Sequence, residues 1–506
     1  MINNQRINYK VFTIATFTAF SMLAQADESD PNEQLKKLKQ MVEQLQQQRL
    51  EQDKQMELLT KELVGLENQV SQVKITKSEE KGSSKGAPVL ANFKDGISFE
   101  DGSGNWKFAI NGRVQADYRH FSPDESAADT FSLRRAKLGG TLTFYKDYAA
   151  RVEGEYSGGS TTLTYGYIDI NKFQSAKFRL GQFKPSYGLE RAMSTNFTDF
   201  QERSMADALL GSTFDRGVMV YGSPLSGFNY SVAYVNGTGT ADENNAKNDG
   251  KDFTTRITGN LAEMMDWKDA VVHVGGFYAD GSEGSRNQAA FIPVGQTEGR
   301  GAQFFNTTCS AAACGVVTAN GFKDNMSRSR AGFETALAYQ SVKLQGEYIN
   351  TSFDGAGYSR DIDAWYASAI WNVTGESFAD MYKEGVFGRL KPKNSYAQGL
   401  GWGALQVGAR YSNFNASDFK TTNAAGTGVL LNNVPVLPTT TDGLLVATNK
   451  VDAWTLGANW ILNPNFRLMA NYIRTDYDTP IVVRVNGTNK SLNKEDALTM
   501  RAQLDF

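Results

Sequence analysis

The sequence has very few of the residues on which catalytic and metal sites depend. Its 506 residues include two histidines, two cysteines and 11 prolines. The histidines and cysteines are too few and too dispersed for a zinc site, so we expect no metal and no cofactor. A serine-type nucleophile would need a base beside it, and neither His120 nor His273 lies in a recognisable hydrolase setting. We therefore expect that the protein is not an enzyme.

Long hydrophobic runs and basic blocks are also absent. No stretch approaches the roughly 18–20 consecutive apolar residues of a membrane-spanning helix, which excludes a helical membrane protein. The composition does not exclude a membrane β-barrel, because the apolar band of such a barrel is formed by alternate residues of its strands. The formal charge is −3 and no basic cluster stands out, so we expect no nucleic-acid partner. What the chain has in quantity is glycine, with 48 residues, and aromatic side chains, at 11%.

The first residues read as an export signal. Arg6 and Lys10 precede a short apolar core, and Ala24-Gln25-Ala26 gives a small-x-small cleavage site, so residues 1–26 are predicted to be a signal peptide. An exported chain meets an oxidising compartment, where Cys309 and Cys314 would close a small surface loop as a disulfide. Two free thiols are the alternative.

A heptad pattern occupies residues 27–76. Its seam positions keep a 3,4 spacing, with Arg49 and Gln52 as two polar interruptions; the apolar members are Leu35, Leu38, Val42, Leu45, Met56, Leu59, Leu63, Leu66, Val70 and Val73. This pattern predicts a coiled coil, because a single helix cannot bury such a seam alone. A helix folded back on its own domain is the alternative. Residues 77–92 are charged and then rich in Gly and Ser, which is typical of a flexible linker.

From Trp106 onward the apolar period changes to two. For example, Val114, Ala116 and Tyr118 alternate with the polar residues Arg113, Gln115 and Asp117, as in a strand that is apolar on one side and wet on the other. The pattern recurs sixteen times, an even number as a closed barrel requires, and predicts an all-β, 16-stranded antiparallel transmembrane barrel over residues 93–506. The predicted strands start near 106, 131, 148, 162, 176, 214, 227, 252, 269, 331, 341, 362, 403, 452, 465 and 496.

The connections between these strands are mostly long and short in alternation. Segments 186–213, 280–330, 414–450 and 476–495 are long, and tight turns separate them. Outer-membrane barrels sort their loops in this way. Segment 375–402 is an exception, since it is long but falls among the short turns, and it is a candidate to fold into the barrel.

Several segments together resemble the phosphate-selective porin family. They are 131–136 (FSLRRA), 181–185 (GQFKP) with 188–190, 401–404, 409–412, 459–465 (NWILNPN) and the ending 501–506 (RAQLDF). The resemblance covers about residues 93–506. It implies a homotrimer of 16-stranded barrels that conduct anions past arginines and lysines. It also implies that the third outer loop, here 186–213, folds inward as a constriction and that Phe506 is the terminal aromatic used in assembly.

The resemblance makes Arg113, Arg134, Arg135 and Lys184 candidates for anion binding in the pore. Arg151, Arg410 and Arg501 are predicted to face the lumen by strand parity alone. Arg134 and Arg135 are adjacent, and the apolar parity of their strand slips, so we predict a β-bulge that aims both inward. For each of these residues the alternative is a wall cation that is solvated or paired with an acid.

The sequence therefore predicts an outer-membrane porin that passes small anions such as phosphate or polyphosphate. The coiled coil would lie in the periplasm of a Gram-negative bacterium, with a periplasmic or cell-wall partner, and the barrel would contact outer-membrane lipids. Four acids in 186–213, against Arg191 and Arg203, favour a general diffusion porin without phosphate selectivity. The other alternative is a barrel whose main role is tethering through the coiled coil.

Overall fold

Sixteen antiparallel strands close into a barrel in the computed structural model of the chain. The model describes residues 39, 89–92, 96–237, 239–240, 251–283, 295–305, 326–355, 358–396, 401–421, 429–431, 434–435 and 443–506. The barrel strands are β1 Trp106–Ser122, β2 Thr130–Phe144, β3 Tyr148–Glu155, β4 Thr162–Phe173, β5 Ala176–Phe183, β6 Asp215–Leu225, β7 Phe228–Val235, β8 Asp252–Asn260, β9 Ala270–Glu283, β10 Met326–Tyr339, β11 Val342–Gly355, β12 Tyr358–Asn372, β13 Ala404–Asn415, β14 Lys450–Asn463, β15 Phe466–Val485 and β16 Thr488–Asp505. The barrel closes where β16 pairs with β1, from Asp496 opposite Ser122 to Asp505 opposite Arg113.

The wall of the barrel is polar inside and apolar outside. On β1, Gln115, Asp117 and Arg119 are buried in the lumen, whereas Val114 lies 44% exposed on the outer face. The same alternation runs through the other strands, which expose Leu, Val, Phe, Tyr and Trp outward. A strand that alternates apolar and polar residues adopts this arrangement when its outer face meets lipid and its inner face meets water.

The number of strands and most of their starting points agree with the sequence prediction. The largest difference is β16, which begins at Thr488 instead of 496, so the predicted loop 476–495 is a hairpin that extends β15 and β16. Asn486 and Gly487 form its turn with φ values of 51° and 74°. Both residues tolerate the left-handed region, and Asn-Gly is a strong signal for a tight hairpin turn.

Most short turns lie at one end of the barrel and most long loops at the other. An N-terminal hairpin, Val89–Asn92 and Ile97–Asp101, extends the sheet at the short-turn end by pairing with β1. Its first strand occupies the last four residues of the predicted linker 77–92. Phe506 exchanges backbone hydrogen bonds with Gly112, and a Cβ added at Gly112 would lie 2.5 Å from the Phe506 ring. The absence of a side chain at Gly112 therefore makes room for the terminal aromatic ring.

Two segments enter the lumen from opposite ends, and we call them the inner loop (184–214) and the inner turn (373–403). The inner loop contains the helix Leu189–Ala192 and the 3-10 helix Met205–Leu210, and the inner turn contains the 3-10 helix Ala379–Met381 and the paired strands Tyr382–Lys383 and Val386–Phe387. They share one apolar cluster within the barrel, formed by Leu189, Met193 and Phe200 of the loop, Phe378, Met381 and Phe387 of the turn, and Val271, Ala336, Ala338 and Ile370 of the wall. Both segments were predicted to fold inward, and their contacts confirm it.

The remaining described elements are short. They are the helix Leu261–Met264 and the strands Gly295–Gln296, Gln303–Phe305, Lys420–Thr421, Val429–Leu431, Val434–Pro435 and Gly443–Val446. Among the described residues, no helix is long and apolar enough to cross a membrane. The predicted signal peptide, the coiled coil apart from Lys39, most of the linker, and Cys309 and Cys314 lie outside the described residues.

Candidate functional site

A cavity of 720 Å³ occupies the part of the lumen that the inner segments leave open. Strands β1 to β8 line it, together with the N-terminal hairpin and parts of the inner loop and inner turn. Its charged lining is strongly one-sided, because nine cationic side chains face two carboxylates. The cations are Lys107, Arg113, Lys137, Arg151, Lys177, Arg179, Lys184, Arg256 and Arg389, and the carboxylates are Glu153 and Glu384.

Many of these cations are held by acids. Arg179 forms two hydrogen bonds with Asp169, of 2.7 and 2.8 Å. Glu153 accepts from both Lys137 and Arg151. Arg256 and Arg389 pair with Glu334 and Asp505, which lie on the barrel wall. The positive potential of the cavity is therefore smaller than the count of its cations suggests.

Arg113 is different, because it forms no ion pair among the described residues. Its guanidinium donates to the Thr195 hydroxyl and the Asn196 side-chain carbonyl of the inner loop. Its hydrogen-bond acceptors among the described residues are neutral, although Glu153, Glu155 and Asp505 lie near enough to attract its charge. Lys107 and Lys177, also on the cavity wall, likewise have no direct acid partner within the described ranges. Arg113 is thus the cavity arginine without a direct ion pair in the described part of the chain, at the point where the inner loop meets the wall.

Tyrosines support two of the cavity arginines. The Arg151 guanidinium lies 4.3 Å from the centre of the Tyr165 ring, and that of Arg179 lies 3.9 Å from the centre of Tyr167. The attraction between each guanidinium and the face of the tyrosine ring helps to fix the position of the arginine side chain. The edges of these arginines are therefore presented to the lumen in defined positions.

The predicted β-bulge is present at Arg134. Gln115 of β1 lies opposite Arg135, and its neighbour Ala116 lies opposite Leu133, so Arg134 is the extra residue of β2. Both arginines point into the lumen. Arg134 donates to both carboxylate oxygens of Glu202, and Arg135 donates to the Gln115 side chain.

Glu202 of the inner loop is the centre of an arginine cluster. Oε1 lies 2.7 Å from Arg134 Nε, 2.8 Å from Arg501 Nη2 and 3.5 Å from Arg119 Nη2, and Oε2 lies 4.0 Å from Arg135 Nη2. Burial acts to raise the pKa of Glu202, but the charges of Arg134, Arg135 and Arg501 outweigh burial and hold the pKa well below its ordinary value. The group is therefore a carboxylate at neutral pH.

Lys184 lines the cavity but is bound to the backbone of the inner loop. Its ammonium donates to the carbonyls of Arg191, Ala192 and Met193, over 2.8 to 3.0 Å. Burial lowers the pKa of Lys184 well below its ordinary value, and the charges of Arg203 and Arg191 lower it further. Lys184 thus fixes the loop, and all three of its donors are engaged there.

Arg410 and Arg501 face the lumen as parity predicted, but both are buried against acids. Arg410 pairs with Glu190 at 3.0 Å and with Glu298 at 2.5 Å. Arg501 pairs with Asp117 at 2.7 Å and with Glu202. Of the seven predicted pore residues, Arg113, Lys184 and Arg151 line the cavity, Arg134, Arg135 and Arg501 meet at Glu202, and Arg410 lies apart.

Several functional candidates were not singled out from the sequence. Lys107 and Arg119 lie on the wet face of β1, the same face as Arg113, so parity alone would have found them. Lys137, Lys177 and Arg179 also lie on lumen faces of their strands. Arg389 lies in the inner turn, where no strand pattern fixes the direction of a side chain.

Comparison with known proteins identifies relatives. A family model described as "Phosphate-selective porin O and P" matches residues 108–506. Porin O of Pseudomonas aeruginosa is 28% identical over 419 residues, which cover 78% of this chain and 88% of that protein. Among solved structures, OmpT of Vibrio cholerae superposes with a TM-score of 0.46 at 12% identity, covering 79% of this chain and 100% of that one. The outer membrane channel DcaP of Acinetobacter baumannii gives 0.44 at 12% identity, with coverages of 82% and 100%.

Proposed function

Since the chain belongs to the phosphate-selective porin O and P family and is thus an outer-membrane porin, we propose that its channel is anion-selective. The proposed solutes are small anions such as phosphate or polyphosphate, and they cross by passive diffusion rather than in a catalysed reaction. The observation that carries this proposal is the cavity wall, where nine cations face two carboxylates.

The arrangement of the cations supports rapid passage. The open cavity contains three cations without a direct ion pair among the described residues, namely Lys107, Arg113 and Lys177. The arginine cluster around Glu202 lies next to Arg113 along β1 and β2. A row of weak sites attracts an anion without trapping it, whereas one strong site would slow release. Planar guanidiniums also match the oxygens of phosphate better than ammonium groups do.

A general diffusion porin is the second candidate. It is favoured by the ion pairs that compensate Arg179, Arg256 and Arg389, and by the acids of the inner loop. In that case the paired charges would hold the inner segments in place, and the solute would meet only a weak excess of positive potential.

Reversal potential in a planar bilayer distinguishes the two candidates. Under a KCl gradient we expect the purified protein to show a reversal potential of the sign given by chloride permeation, because the open cavity has excess cations. Added inorganic phosphate should reduce the chloride current, because guanidiniums bind phosphate oxygens more strongly than chloride. A nearly non-selective current that phosphate leaves unchanged would establish the general porin instead.

We also propose that the protein is a homotrimer whose coiled coil (27–76) lies in the periplasm of a Gram-negative bacterium. The heptad seam supports self-association, because its apolar side chains need a partner surface. The barrel contacts outer-membrane lipids through its apolar outer face, and the coiled coil can also reach a periplasmic or cell-wall partner.

Deleting residues 27–88 tests the arm. We expect the shortened protein to conduct as the full chain does, since no cavity residue is removed, and to dissociate from trimer to monomer at a lower temperature on semi-native gels. Equal dissociation temperatures for the two proteins would show that the coiled coil contributes nothing to assembly.

A further inference from the structure

Glu202 is bound in the way that a permeating oxyanion would be bound. Arg134 uses its fork to reach both oxygens of the carboxylate, and Arg501, Arg119 and Arg135 approach from other sides. A carboxylate and a phosphate group share this chemistry, since each spreads negative charge over oxygens that accept several charged hydrogen bonds. The inner loop therefore places an anion of its own among the arginines.

We propose that Glu202 is a specificity-determining residue whose carboxylate occupies an oxyanion-binding site formed by Arg119, Arg134, Arg135 and Arg501. By competing with the solute for these arginines, it sets how tightly the solute binds there. This inference rests on the proposed function, because it concerns the affinity of an anion channel for its solute.

The charges at the site support competition. Four guanidiniums lie against two carboxylates, those of Asp117 and Glu202, and a fifth, that of Arg300, is near enough to interact with both acids. Asp117 lies on the wall, fully buried, and accepts from Arg501 and Arg119. Glu202 belongs to the loop and retains 13% side-chain exposure, with 22% for Arg134 and 14% for Arg135. Glu202 is thus the more exposed carboxylate of the pair.

The need to release the solute quickly explains why a channel would contain a residue such as Glu202. Without Glu202 the arginines would form a strong site with one compensating acid, and strong binding slows the release of a solute. With Glu202 in place, an arriving anion must share or displace an existing partner. Glu202 would therefore lower the affinity of the arginines for the solute and raise the rate at which the solute is released.

The inner loop has other attachments, so Glu202 is not needed to hold it. Asp199 pairs with Lys343 at 2.8 Å, Glu190 pairs with Arg410, and the Thr198 carbonyl accepts from Arg467 at 3.0 Å. Removal of the charge at Glu202 should leave these contacts intact. Glutamine has the same shape and can still accept from Arg134.

The experiment compares wild-type protein with Glu202→Gln in planar bilayers, using inorganic phosphate to inhibit the chloride current. We expect the variant to be half-inhibited at a roughly tenfold lower phosphate concentration, since one nearby negative charge is removed. Its blocking events should last longer, and its reversal potential should shift further toward that of chloride. Glu125→Gln is the matched control, because it removes one charge from the β1–β2 loop, where Glu125 pairs with Lys490 outside the cluster.

Each outcome has a defined meaning. An unchanged inhibitory concentration in Glu202→Gln, with anion selectivity and phosphate block present in the wild type, overturns the inference and leaves the proposed function standing. A larger, noisier current with unchanged phosphate block also overturns it, because Glu202 would then be a tether. If the wild type shows no block and Glu202→Gln does, the inference stands and the proposed function fails.

A second variant covers the case in which Glu202→Gln does not assemble. Glu202→Asp retains the charge but withdraws it from the Arg134 fork, and we expect half-inhibition at a lower phosphate concentration than the wild type requires. Inhibition of Glu202→Asp at the wild-type concentration would contradict a competing role for the carboxylate.

Discussion

Replacement of Arg113 by glutamine should remove most of the channel's preference for anions. Arg113 lies on the cavity wall, has no acid partner among the described residues, and meets the inner loop at Thr195 and Asn196. Its charge is therefore less fully compensated than the charges of the cavity arginines that form ion pairs, although Glu153, Glu155 and Asp505 act on it from a greater distance. At close range one charge changes the energy of an ion by about 1 to 4 kcal/mol, depending on the local dielectric. We expect a roughly tenfold lower ratio of chloride to potassium permeability, measured as the reversal potential in a KCl gradient.

Arg474→Gln is the matched control for this prediction. Arg474 lies on the outer face of β15 and pairs with Asp476, so its loss changes the charge of the barrel without changing the lumen. The two variants have the same net charge, and only Arg113→Gln should alter selectivity. An Arg113→Gln channel with wild-type selectivity would show that the paired cations set the potential.

Arg501→Gln should destabilise the barrel strongly. Arg501 and Asp117 are both fully buried, and Arg501 donates to both oxygens of the Asp117 carboxylate, at 2.7 and 2.8 Å. Asp117 would then keep Arg119 as its one arginine partner among the described residues, and removal of one member of a buried pair costs about 3–5 kcal/mol. The free energy of unfolding, measured by denaturant titration in detergent, should fall by about that amount. Lysine should not substitute, because it lacks the planar fork.

The double variant Asp117→Asn with Arg501→Gln separates charge from shape. It removes both charges from the pair, so we expect it to be more stable than Arg501→Gln alone. If the double variant is less stable than either single variant, the hydrogen bonds of the pair, and not its charges, account for the loss.

The barrel could be predicted from the sequence because each strand carries its own pattern of apolar and polar residues. Each strand must alternate apolar and polar residues to separate lipid from lumen, and this pattern is readable without knowledge of the partner strand. The bulge at Arg134 was predicted for the same reason, since an inserted residue reverses the parity of the residues after it. The hairpin at Asn486-Gly487 was missed because its strands continue beyond the apolar band, where alternation is weak.

The roles of the lumen arginines could not be predicted in the same way. Parity determines which face a side chain occupies, but the partner comes from loops that are distant in the sequence. Arg410 is separated from Glu190 by 220 residues, and Arg501 from Asp117 by 384. Three backbone carbonyls hold Lys184, and backbone groups give no sequence signal. That Arg113 lacks a direct ion pair becomes evident only when its described neighbours are known.

The apolar cluster shared by the inner loop and the inner turn also has a mechanical consequence. Phe200 from one side and Phe378 and Phe387 from the other pack together and against the wall residues Val271 and Ile370. This cluster attaches both inner segments to neighbouring strands of the wall, β9, β10 and β12, and Glu202 attaches the inner loop to β2 and β16 through Arg134 and Arg501. Packed protein interiors have low compressibility, so the filled part of the lumen resists compression. An empty barrel of this circumference would deform more easily under the lateral pressure of the bilayer. We therefore expect the cross-section offered to the solute to depend little on the surrounding lipid.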